Sequence, residues 1–121
     1  VRYKRDEAFR YEFGTPLEAF FTIEEVNGNS VESSEGEASI IDLSLNGMKL
    51  ATTLEMSNRN DIKVLIRFML NDNEYLVQGE IIWSKAHLDE YNYGIQFALD
   101  EQVQDNLIDD LKELGKSKVN D

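Results

Sequence analysis

Between residues 15 and 99 the chain holds six short runs rich in aromatic and β-branched residues, and after them the periodicity changes. The runs are "TPLEAFFTIEEV", "SIIDLSL", "MKLATT", "DIKVLIRFML", "EYLVQGEIIWSKA" and "YNYGIQFAL". Residues of these types suit a pleated, half-buried surface, and the stretches between them are those of turns. "NGNSVESSEGEAS" (27–39) reads as one long, mobile, solvated hairpin loop, and "NDN" as a tight turn. In "DEQVQDNLIDDLKELGK", Val103, Leu107, Leu111 and Leu114 recur at +4, +4 and +3, the spacing of one helix face. Asp100 is placed to cap that helix and Gly115 to stop it. Short strands in sequence close most simply into an antiparallel barrel, which removes exposed edges, with the helix stripe over an open end or face. The predicted fold is therefore all-β with a C-terminal helix: a six-stranded antiparallel β-barrel. It forms a single domain over residues 1–121, with a basic segment at 1–12, the barrel at 15–98 and the helix at 100–115.

Composition narrows the function. The chain of 121 residues has no cysteine, which excludes disulfides and Cys-based metal sites. Its longest apolar run, Val64–Leu70, is broken by Arg67, far short of the ~18 residues of a membrane span. With no secretory signal in view, the expectation is a soluble cytoplasmic protein without membrane insertion. The formal net charge of −12 divides into +2 over the first ten residues (Arg2, Lys4, Arg5 and Arg10 against Asp6 and Glu7) and −14 over the other 111. An acidic body repels a polyanion, so DNA and RNA are poor partners, and a stacking sheet of the oligonucleotide-binding kind is disfavoured. A small basic segment suits a small anion. The lone His87 gives no metal site, and no nucleophile–base pair or phosphate-cradling glycine run points to an enzyme. Trp83, Phe68, Phe97, Tyr91 and Tyr93 read as core and edge packing of the barrel.

"DLSLNG" carries the chemistry. Asn46-Gly47 between two alternating runs is a hairpin signal, because the two-residue turn needs positive φ at both central positions. On that reading Asp42 and Ser44 are solvent-facing polar residues. A second reading uses the same spacing: Asp42 and Ser44, two apart, share a face, and Gly47 bends the chain beside them. A carboxylate accepts from the N1–H and N2–H₂ donors of guanine, while arginine pairs with guanine O6/N7 and with phosphate.

With these motifs the chain resembles the PilZ domain family, bacterial receptors for cyclic di-GMP. "DLSLNG" is similar to that family's (D/N)-x-S-x-x-G motif at Asp42, Ser44 and Gly47, and "VQGEIIWSK" followed by "YNYGIQF" to its later strands. The similarity runs from about residue 4 to 115, closing helix included. It implies a PilZ-like barrel on which Asp42, Ser44 and Gly47 hold the ligand while an N-terminal R-x-x-x-R segment wraps over it. Here the arginines depart from that spacing: Arg2 and Arg5 are three apart, Arg5 and Arg10 five apart. Arg5 and Arg10 are the expected pair, joined by a one-residue bulge, with Arg2 as the substitute for either. The resemblance implies a receptor that needs no cofactor or metal. It takes up cyclic di-GMP, orders its N-terminal segment and signals to a protein partner such as a motility, secretion or envelope component. The altered arginine spacing motivates the alternative: a degenerate PilZ-like protein-interaction module that does not bind the nucleotide.

Overall fold

The computed structural model describes residues 10–56 and 61–119. Seven strands and one helix follow in order: β1 (Arg10–Val26), β2 (Asn29–Ser30), β3 (Gly36–Ser44), β4 (Gly47–Thr52), β5 (Ile62–Leu70), β6 (Asn73–His87), β7 (Glu90–Phe97) and α1 (Glu101–Val119). All pairings are antiparallel, in the order β2-β1-β3-β4-β7-β6-β5, and β1 also pairs with β5. The sheet thus closes into a six-stranded ring, as expected, with the two-residue β2 outside it. Long β1 makes closure possible by serving two partners: Arg10–Phe21 runs beside β3 and Ala19–Val26 beside β5.

Alternation fills the ring. Along β5, Ile62, Val64, Ile66, Phe68 and Leu70 are buried while the residues between them face out. They meet Phe21, Ile40, Leu43, Leu50, Val77, Tyr93 and Ile95 in one core. Tyr93 is wholly buried, yet its hydroxyl donates to the Leu54 carbonyl (2.8 Å) and accepts from the Met56 N–H (2.6 Å). It ties the chain after β4 to the core, and among the described residues no buried side-chain polar atom lacks a partner.

The helix meets the expectation at its start and overruns it at its end. Asp100 Oδ1 accepts from the Val103 N–H at 2.9 Å, an N-cap bond. Leu107 and Leu111 are buried in the barrel core, worth about 2 kcal/mol each by apolar burial. Asp110, on the same helix, accepts from the Asn71 and Asn73 amides and the Tyr75 hydroxyl. These bonds seat the helix at the β5–β6 turn. Gly115 does not end it, because this glycine stays out of the left-handed region that a terminating cap requires.

Two loops differ from expectation. Residues 27–39 are not one long mobile loop. Asn27 (φ 53°) and Gly28 (φ 83°) make a two-residue turn into β2, and β3 already begins at Gly36. Between β2 and β3, Ser33 Oγ accepts from the Ile23 N–H (2.9 Å), and Glu35 holds Arg67 through two hydrogen bonds (2.9 and 3.1 Å). Arg67 in turn lies 4.7 Å from the centre of the Phe20 ring. At the other site, Asn46-Gly47 is not a positive-φ hairpin turn, since neither residue enters that region. The residues between β3 and β4 are Leu45 and Asn46. "NDN" is a tight turn as expected, with Asn71 (φ 50°) and Asp72 (φ 66°) at its centre. Among the described residues, no helix is long and apolar enough to cross a membrane.

Candidate functional site

β3 contains an irregularity that decides which way its polar residues face. Ile40 pairs with Leu50 and Asp42 with Lys49, so Ile41 is an extra residue on β3, a bulge. Ile40 is fully buried; without the bulge, Asp42 two residues on would point into the core. With it, Leu43 goes inward and Asp42 comes to the outer face.

The β1–β3 ladder then brings Arg10 over. Arg10 pairs with Ser44 and Glu12 with Asp42, and the Arg10 guanidinium donates to Asp42 Oδ1 in a close ion pair. The Asp42 side chain is 14% exposed and that of Arg10 44%, so the carboxylate lies in the wall and the guanidinium at its rim. Arg10 and Asp42 are 32 residues apart in the chain, and the site joins them. Arg2 and Arg5 lie outside the described residues. So does most of the basic segment 1–12; its last three residues, Arg10–Glu12, are already strand.

Ser44 is placed differently from a ligand-facing hydroxyl. It is 1% exposed, and its Oγ lies 3.1 Å from both Asn46 Oδ1 and the Gly47 carbonyl while accepting from the Asn46 N–H at 3.4 Å. Ser44 thus builds the turn that a positive-φ Asn-Gly pair would otherwise have made. Gly47 is required by proximity rather than by backbone angle: a Cβ there would lie 3.0 Å from the Ile95 carbonyl oxygen of β7.

Beside Arg10 and Asp42 opens a depression of about 250 Å³. Gly47, Lys49, Trp83, Gly94 and Gln96 are among its lining residues. Of these, only Gly47 belongs to the motif residues read from the sequence. The others come from pairing across β4, β7 and β6: Asp42 is opposite Lys49, Lys49 opposite Gly94, and Gly94 opposite Trp83. A second bulge, at Ile82 on β6, precedes Trp83 and keeps it off the core. Trp83 is therefore not core packing; it is 40% exposed on the outer face, whereas Phe68, Tyr93 and Phe97 are buried as expected. Its indole crosses β7 where Gly94 leaves room, since a Cβ at 94 would fall 2.0 Å from Nε1. "GEIIW" and "YNYGIQF" contain these residues, but the register that faces Trp83 to Gly94 depends on the bulge, which has no local sequence mark.

In chemical terms, the site offers a charge-paired arginine and carboxylate, a lysine, an amide and an aromatic surface around a shallow opening. Such a set has the hydrogen-bonding, cationic and aromatic groups that suit a flat, anionic molecule. Among the described residues no group of three or more His, Cys, Asp or Glu is arranged to hold a metal.

Comparison with known proteins gives a consistent result. The family model for the PilZ domain matches residues 4–114. No curated protein matches the chain significantly. Among solved structures, the PilZ domain of CeSA from a cellulose-synthesizing bacterium is similar with a TM-score of 0.59 and 17% identity, over 87% of this chain and 98% of that one. The Bacillus subtilis inhibitor of motility MotI/DgrA is similar with a TM-score of 0.55 and 11% identity, over 99% of this chain. The match spans 54% of MotI/DgrA. At such identities the likeness to these structures is one of fold.

Proposed function

The chain belongs to the PilZ domain family, a family of binding modules, and from that membership we propose that it is a cyclic di-GMP receptor that passes the signal to a protein partner. The carrying observation is the meeting of Arg10 with Asp42 at the rim of an open depression. One supplies the cation that guanine O6/N7 or a phosphate seeks; the other supplies the acceptor for guanine N1–H and N2–H₂. On binding, Asp42 exchanges its bond to Arg10 for the guanine edge, and Arg10 turns to the ligand. Gly47 keeps the floor low and Ser44 keeps it rigid. The opening of about 250 Å³ is below the roughly 300 Å³ at which ordinary ligand pockets begin, so it seats one base and leaves the rest outside. The N-terminal segment that carries Arg2 and Arg5, which lie outside the described residues, is then the part that orders on binding, and the partner reads that change.

A protein partner of the motility, secretion or envelope kind fits the likeness to an inhibitor of motility, and a cytoplasmic setting fits a nucleotide messenger. Calorimetric titration with cyclic di-GMP is the test. The native chain binds, and Arg10→Ala weakens binding by about thirtyfold, on the order of 2 kcal/mol for a charge-assisted contact. Asp42→Ala weakens it comparably. A flat trace from a folded sample refutes the receptor reading and leaves a docking module that has lost the nucleotide, the alternative that the arginine spacing raises.

A further inference from the structure

The outer face of β1, β5 and β6 departs from the polar surface that a solvated sheet face ordinarily shows. On β5 the outward positions run Lys63, Leu65, Arg67 and Met69, and on β6 Glu74, Leu76, Gln78 and Glu80. The register places Phe20 of β1 beside Arg67, and Arg67 beside Leu76. Leu65 and Met69 flank Arg67 on the same face of β5, and both are diagonal neighbours of Leu76. Met69 is 49% exposed and Leu76 59%. The apolar positions therefore adjoin one another in the middle of the face, and the charged ones lie towards its ends.

Arg67 sits at the centre of this patch and is already held there. Its guanidinium lies 4.7 Å from the Phe20 ring centre, makes two hydrogen bonds to Glu35 and stands 3.7 Å from Glu74. A side chain fixed before docking loses little freedom when a partner arrives. Aromatic, methionine and arginine side chains inside a charged rim have the anatomy of a protein–protein contact. Glu37 continues the row beyond Phe20, so Glu35, Glu37 and Glu74 outweigh Arg67 around the patch. Lys63 does not offset them, because it is paired with Glu25 at 3.8 Å. The rim is acidic.

We infer that this face of β1, β5 and β6 docks a protein partner that presents an apolar patch ringed by lysine or arginine. A second copy of the chain is a poor occupant. A two-fold contact would set the same glutamates against one another, in a chain of net charge −12. In the ring order β5 stands opposite β4, so this face lies across the barrel from the depression at Arg10 and Asp42. Docking here leaves that depression open. The partner is held with or without nucleotide, and the inference does not depend on the receptor reading.

The probe is a random-peptide phage library selected against the full chain, the enriched peptides then being synthesised and mapped by amide chemical-shift changes. The expected peptides combine apolar residues with lysine or arginine and shift the amides of β5 and of residues 73–80. Leu76→Glu and Met69→Glu each weaken peptide binding about tenfold, and added salt weakens it for the native chain. Both side chains are already about half in water, so these variants keep the fold, which circular dichroism checks. Leu76→Glu gives the same calorimetric trace with cyclic di-GMP as the native chain, so the receptor reading and this inference succeed or fail in separate arms. The inference is overturned if no peptide is enriched, if the peptides are acidic, or if their shift changes fall on β3, β4 and β7. It is overturned equally if both variants stay within twofold. Self-association of the native chain in sedimentation, abolished by Leu76→Glu, would also overturn it by giving the face to a second copy.

Discussion

Single positions in this protein often serve a neighbour rather than themselves. Gly47 has ordinary backbone angles, but a methyl group there would press on the Ile95 carbonyl. Because that oxygen belongs to a paired strand and cannot yield, Gly47→Ala should cost about 1–3 kcal/mol in urea denaturation. Gly94→Ala has a different outcome: the obstructed atom is on the Trp83 side chain, which is half in water and can swing aside. Emission should shift to the red with a smaller loss of stability. Ser44→Ala removes the hydroxyl that holds the β3–β4 turn and leaves polar atoms behind, so about 1–2 kcal/mol should be lost with no ligand present. A variant designed as a binding defect would thus be a stability defect as well. The sequence made Asp42, Ser44 and Gly47 legible through spacing, but it did not separate their tasks. Spacing records which side chains share a face; it does not record that a hydroxyl turns inward.

Elements were more legible than their junctions. The period-two runs located the six strands of the ring and the 3-4 spacing located the helix, because burial on one face imposes those periods. The bulges at Ile41 and Ile82 were invisible, since an extra residue in a ladder is defined by the partner strand. The same dipeptide misled and informed within one chain: Asn27-Gly28 makes a left-handed turn and Asn46-Gly47 does not, because Ser44 satisfies the second turn by another route. At the helix seat, burial and then the Asp110 carboxylate push the Tyr75 phenol well above its ordinary pKa. Burial raises that of Tyr93 also. A phenol whose pKa is raised on folding stabilises fully below its unfolded value of about 10, and that stability is lost as pH rises past it. Urea midpoints should therefore hold up to about pH 10 and fall beyond it, and Tyr75→Phe should lessen the fall.

Across the whole molecule, ligand and fold are linked by mass action. If cyclic di-GMP binds the folded chain alone, a hundredfold excess over Kd adds about 2.7 kcal/mol, or roughly 10 °C in melting temperature for a domain of this size. An unshifted melt at saturating ligand would contradict the linkage. Arg10 could be read as part of a basic segment, but its ion pair with Asp42 could not, because the register of β1 against β3 is what delivers it there.

The six-stranded ring still leaves stretches of strand edge unpaired. Among the described residues, Arg10 to Leu17 on β1 and Ile81 to His87 on β6 have a strand on one side only. Each is an invitation for another copy to zip on, and the second carries Ile82 and Trp83 in the open. Pro16, which has no N–H to offer, interrupts the first, and Lys85 places a charge in the second. An apolar, one-sided strand can therefore stay open on this face, because the proline and the lysine each oppose its pairing with a second copy.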